Sequence, residues 1–153
     1  MSDSADIELT GFDEVLAALD SLPEQVDDFQ RQALRAANDV IRPALVAATP
    51  YSTETPTGTA LRPGELKGAV TSRISVGHLG ADSTLTVGFG KLGYVARFVD
   101  EGHENPTAKA QNALKRTPPH PFVRNVIDTT AEAAHDAYVT TMTALVEGAI
   151  NGS

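Results

Sequence analysis

Residues Tyr94–Asn125 read YVARFVDEGHENPTAKAQNALKRTPPHPFVRN, and the fold turns on how they are divided. An apolar run, Tyr94–Val99, ends on Asp100-Glu101-Gly102-His103. A polar, proline-bearing excursion follows over residues 104–120, and the chain resumes packing at Pro121-Phe122. The run reads as a strand that stops on an acidic turn, although Tyr94, Val95, Ala96, Phe98 and Val99 fit a short helix equally well. An arm leaving a sheet and returning through one aromatic anchor is a device of proteins that assemble. It does not have the look of a catalytic site.

Working outward, two runs before this stretch alternate in polarity. Val70–Leu79 places Val70, Ser72, Ile74 and Val76 on one face, and Thr84–Phe89 does the same with Leu85, Val87 and Phe89. Gly80–Ser83 supplies the turn, so the pair reads as an antiparallel hairpin. Gly90–Gly93 turns the chain again. Glu65–Ala69 is one short helical turn. Residues 49–64 are rich in proline and threonine and form a loop.

Helical stripes flank this centre. Phe12–Leu22 carries Phe12, Val15, Leu16 and Leu19 on one face. Pro23 suits the first turn of a second helix running to about Ala48, whose stripe is Val26, Phe29, Ala33, Ala37, Val40, Ile41, Leu45 and Ala48. Pro43 lies inside it and either ends the helix at Ile41 or kinks it near Asp39; the stripe continuing past it favours the kink. Residues 6–10 alternate as a short N-terminal strand. From Phe122 to about Ile150 a last amphipathic helix carries Phe122, Val126, Ile127, Ala133, Ala137, Tyr138, Met142, Leu145, Val146 and Ala149. It lacks Lys or Arg at its C-terminal end. The expected fold is one α+β domain over residues 1–153. A small antiparallel sheet (N-terminal strand, hairpin, third strand) packs against two long helices, with loop 49–64 and arm 104–120 as extensions.

Composition narrows the function. The chain of 153 residues is long enough for one core. It has no cysteine, which excludes disulfides, thiol chemistry and Cys-based zinc sites. No apolar run is long enough to span a bilayer, and the acidic N-terminus does not resemble a secretory signal. The net charge of −8 is unevenly spread: residues 1–30 hold nine acids and no base, residues 31–124 hold all twelve bases against seven acids, and residues 125–153 hold four acids and no base. Such a pattern is either solvated helix faces or oppositely charged faces that meet between neighbouring copies.

Little here suggests chemistry. Gly88-Phe-Gly-Lys-Leu-Gly93 is glycine-rich, but Leu92 follows the lysine and no helix clearly follows, so it departs from a phosphate loop. His103 with Asp100, Glu101 and Glu104 has donors suited to a cation, yet the second histidine of a metalloprotease motif is missing. No serine, threonine or lysine has a placed base. No catalytic residue, cofactor or metal is assigned, and the expectation is not an enzyme. Lys109, Lys115 and Arg116 on the arm are candidate contacts to DNA in a channel. Three bases without aromatics would bind weakly and non-specifically.

Five signposts in order resemble the small neck and tail-completion proteins of long-tailed bacteriophages, the gp-ten-like group of tail components. They are Leu9-Thr-Gly-Phe12 leading into helices; the Ala-Thr-Pro50 exit from the long helix; Gly64-Glu65-Leu66 before a strand; Tyr94–His103 with its acidic-x-Gly turn; and Pro121-Phe-Val-Arg124-Asn-Val at a helix entrance. The resemblance spans most of the chain. His103 stands where the family has threonine, Asn125 where it has proline, and the Pro50–Gly64 loop and the arm are long. The resemblance implies a virion protein assembled in the host cytoplasm, forming a ring, with six copies by analogy with the sixfold tail. Such a ring joins the head–tail connector or stopper to the tail terminator or tail tube, and DNA passes through it. The rival position is a tail terminator capping the tail tube. Rivals from other classes are a small cytoplasmic enzyme or ligand-binding domain built on the Gly88–Gly93 turn, and a nucleic-acid-binding module built on the arm. Interface residues on this reading are Arg97, Asp100, Gly102, His103, Pro121, Phe122 and Arg124. Asp100 would cap the turn or pair with Arg97 or Arg124. Gly102 would take the positive φ of a sharp exit.

Overall fold

The computed structural model describes residues 12–51, 62–78, 82–104 and 116–152. The expected N-terminal strand and most of the 49–64 loop lie outside them. Two long helices dominate: α1, Phe12–Ala48, and the last helix, Phe122–Asn151. At 1.5 Å per residue they extend about 55 and 45 Å. Between them in sequence come a short α2, Glu65–Gly68, the strands β1, Thr71–Ser75, and β2, Thr84–Gly88, and a helix α3, Gly93–Glu101. Two-residue strands follow at β3, His103–Glu104, and β4, Arg116–Thr117, and Phe122–Asn151 is α4.

The domain is α+β, an antiparallel hairpin packed against two long helices. β1 and β2 pair from Thr71↔Gly88 to Ser75↔Thr84, with Ile74 opposite Leu85. The alternation fixes this register: Ile74, Leu85 and Val87 are half-covered side chains, and Phe89 just beyond β2 is buried. Of the Gly80–Ser83 turn, Asp82 and Ser83 are described, and Asp82 takes a left-handed φ of 54°.

α1 is one helix, not two, and it continues past both prolines. The positions Val15, Leu19, Leu22, Val26 and Phe29 recur at four and three without a phase break across Pro23. A single helix therefore keeps the spacing in phase, although Pro23, well inside α1, costs the backbone bond that its missing N–H would make. Beyond Pro43 the helix carries Leu45 into the core.

Tyr94–Val99 is not the third strand of the hairpin's sheet; it lies within α3. Helical spacing turns Ala96 inward to burial, leaves Val95 and Val99 half-covered, and faces Tyr94 and Phe98 outward. A strand would have sent Val95 and Val99 to the same face as Arg97. β3 and β4 form a second two-stranded sheet, separate from the hairpin, with His103 opposite Thr117 and Glu104 opposite Arg116. That pairing also shortens the arm. Residues 116–120 belong to its base, and the excursion proper, residues 105–115, lies outside the described residues.

α1 and α4 run antiparallel. Leu45 shares a core cluster with Phe122 and Val126, whereas the Tyr138 hydroxyl donates to Gln30 Oε1 at 2.6 Å. One end of the molecule therefore holds the core of Leu45, Leu66, Val70, Phe89, Ala96, Phe122 and Val126. At the other end, from Leu22 to Gln30 and from Tyr138 to Asn151, Phe29 is the only buried residue among the described side chains. The stripe of α4 proper is Phe122, Val126, Thr130 and Ala134, followed by half-buried Tyr138, Met142 and Leu145. Ile127, counted into the stripe from sequence, is instead 58% exposed.

Candidate interaction site at the base of the arm

The C-terminus of α3, the β3–β4 pair and the N-terminus of α4 meet at one joint. A helix begins with backbone N–H groups that have no partner within the helix, and a side-chain oxygen just before it normally supplies one. At α4 that position is Pro121, which has no such oxygen. The substitute comes from 23 residues upstream: Asp100 Oδ1 accepts the Val123 N–H at 2.9 Å. The Phe122 N–H bonds to the His120 carbonyl at 2.7 Å, and the Asn125 N–H to the Pro121 carbonyl at 3.2 Å. A carboxylate at a helix N-terminus also complements the helix dipole. Asp100 thus caps α4 rather than its own turn. Neither arginine pairs with it: Arg97 Nε donates to Glu101 Oε2 at 3.0 Å on the surface, and Arg124 is exposed one residue beyond the capped N–H.

The return of the arm is tied to α3 a second time, where the His120 N–H donates to the Val99 carbonyl at 2.9 Å. Gly102 makes the exit, with φ 73° and ψ 163°. That is backbone space essentially reserved for glycine. It swings His103 onto the face of Phe98, with ring centroids 5.4 Å apart. Phe122 is the anchor, 3% exposed, with its ring edge-on to Phe89 at 5.8 Å and stacked with His120 at 6.2 Å.

The residues singled out from sequence therefore divide. Asp100, Gly102, His103 and Phe122 come together as an internal joint. Arg97, Pro121 and Arg124 are exposed around it. Arg116 lies in β4, opposite Glu104, and Lys109 and Lys115 lie outside the described residues. Among the described residues no three His, Asp or Glu side chains converge as metal ligands. The Gly88–Gly93 segment is a tight turn with α3 directly after it, the helix that the sequence alone did not make clear, but the residue after Lys91 is Leu92.

Sequence reasoning missed the exposed aromatics. Tyr94 is 61% and Phe98 48% exposed, and their rings meet edge-on at 6.2 Å. Beside them Pro50, Tyr51, Arg62, Leu66, Val95 and Val99 line a mostly apolar hollow of about 350 Å³. The signal was the i, i+4 spacing of Tyr94 and Phe98, which carries meaning only once the segment is a helix. Among the described residues no helix is long and apolar enough to cross a membrane.

No family model, no curated protein and no solved structure matches the chain.

Proposed function

We propose that this chain is a structural subunit of a bacteriophage neck, forming a ring between the head connector and the tail around the DNA path. The observation that supports the reading best is the joint itself. Asp100, Gly102 and Phe122 are spent on holding the two ends of an excursion, and an exposed aromatic pair stands beside it. A fold that fixes the base of a projection so firmly has the means to present that projection to a neighbour. This agrees with the order of motifs that resembles the neck and tail-completion proteins. Ring copy number, taken as six, follows the sixfold tail. Lys109, Lys115 and Arg116 would meet DNA only through its phosphates. On this reading the protein carries no active site and takes no cofactor.

The test is to purify particles made with and without the protein, then locate it by mass spectrometry and imaging. The reading requires the protein at the head–tail junction, and heads and tails that fail to join without it. Presence at the tail-tube end alone would make it a tail terminator. Normal infectious particles lacking the protein would overturn the proposal.

A further inference from the structure

The outward faces of α1 and α4 carry opposite charge. On α1, Asp39, Arg42, Pro43 and Val46 follow one another at helical spacing and share one face. Together with Ala47, and with Lys67 entering from α2, they line a hollow of about 350 Å³. Pro43, Val46 and Ala47 form its apolar part, and Arg42 and Lys67 set two positive charges there against the one negative charge of Asp39. On α4 the buried stripe is Phe122, Val126, Thr130 and Ala134. Arg124, Asp128 and Glu132 repeat at four residues on the opposite side of that helix, and all three are exposed. Ile127 stands beside them, preceding Asp128 and one turn on from Arg124, and is 58% exposed. This ridge sets two negative charges against one positive. None of the six charged side chains forms an ion pair among the described residues, where the pairs are Arg31–Asp28 and Arg97–Glu101.

We infer that a second copy of this chain seats the α4 ridge in the α1–α2 hollow, with Ile127 against Pro43, Val46 and Ala47. This rests on the reading of the chain as a ring subunit and names the two surfaces that copies use. The order of the charges sets the direction. Asp39 precedes Arg42 by about 4.5 Å of helix rise, and Arg124 precedes Asp128 by about 6 Å. Parallel helices therefore bring Arg124 to Asp39 and Asp128 to Arg42, and leave Glu132 for Lys67. Antiparallel helices would set Arg42 against Arg124 and Asp39 against Asp128, and like charge rejects that alignment. Exposed ion pairs alone are weak and screened by salt. Burial of the isoleucine in the hollow supplies the attraction that salt does not screen. The hollow and the ridge share no residue, so the contact is heterologous. Successive copies close a ring or extend a filament according to the rotation between them.

The experiment is analytical ultracentrifugation of the full chain over a concentration series, at about 0.1 M and about 1 M salt, where the screening length falls from roughly 10 Å to 3 Å. The wild-type chain self-associates, about tenfold more weakly at the higher salt. Ile127→Ser removes the ridge, and the double variant Arg42→Glu, Lys67→Glu reverses the hollow. Ile127 and Arg42 are exposed and Lys67 is half-buried, and unchanged circular dichroism and Tm establish that the variants fold. Each variant alone is monomeric. Mixed, they form one heterodimer and nothing larger, since each retains the surface the other lacks. Adding Asp128→Arg and Glu132→Arg to the hollow variant exchanges the charges on both surfaces and restores self-association. A monomeric wild type at about millimolar concentration in low salt overturns the inference. So do variants that associate like wild type, a mixture that stays monomeric, or a charge exchange that restores nothing. The location of the protein in particles is a separate measurement, so the neck reading and the docking surfaces fail independently.

Discussion

The Asp100 carboxylate caps α4 through the Val123 N–H, 2.9 Å away and 23 residues on. The bond ties the end of α3 to the start of the last helix, so the excursion between them leaves and returns at a fixed place. Replacing Asp100 with Ala leaves that N–H without its acceptor and is expected to cost about 0.5–2 kcal/mol. Asn, which retains an acceptor oxygen, should recover most of the loss. Urea denaturation of both variants checks this, and an Ala variant as stable as wild type would contradict the capping role.

Gly102 should tolerate no side chain. Its φ of 73° with ψ of 163° is strained for any L-residue, and Gly102→Ala is expected to cost about 1–3 kcal/mol. Because the strain sits where the chain leaves α3, the loss should be accompanied by weaker amide-exchange protection at His120, whose N–H is bonded to Val99. A neutral substitution would mean that the exit has an alternative backbone path.

Phe122 makes the anchor energetic rather than geometric. Its ring is buried against Phe89, so Phe122→Ala should destabilise by about 3–5 kcal/mol. Phe122→Leu, which fills part of the space, should lose less. Thermal and denaturant unfolding measure both, and a loss below about 1 kcal/mol for Ala would show that the aromatic ring is not what seats α4.

These three residues also show what sequence makes legible. Phe122 was visible because burial is periodic: it starts a stripe that continues through Val126. Gly102 was visible because a glycine after two acids, before a polar run, has few uses other than a turn. The hairpin was visible because Val70–Val76 and Thr84–Phe89 alternate. The partner of Asp100 was hidden, since a capping bond spanning 23 residues leaves no local pattern. The state of Tyr94–Val99 was hidden for a different reason. Five apolar residues in six satisfy a strand and a helix alike, and only packing of Ala96 into the core decides between them. Pro23 misled in the opposite direction, because a strong local signal for a helix start was overridden by a stripe that keeps its phase through it.

The Tyr138 hydroxyl donates to Gln30 Oε1 at 2.6 Å and so ties α4 to α1. It lies where the full core has ended and most of the described stripe is only half-covered, so it contributes to fixing how far one helix slides along the other. Tyr138→Phe keeps the ring and removes the donor, leaving the part-buried Gln30 oxygen without it. The expected cost is about 1–3 kcal/mol, and Gln30→Leu with Tyr138→Phe should restore part of it because both polar groups are then gone. A double-mutant cycle by urea denaturation measures the coupling. Additive losses would show that the two side chains do not act on each other and that this bond does not help set the antiparallel register.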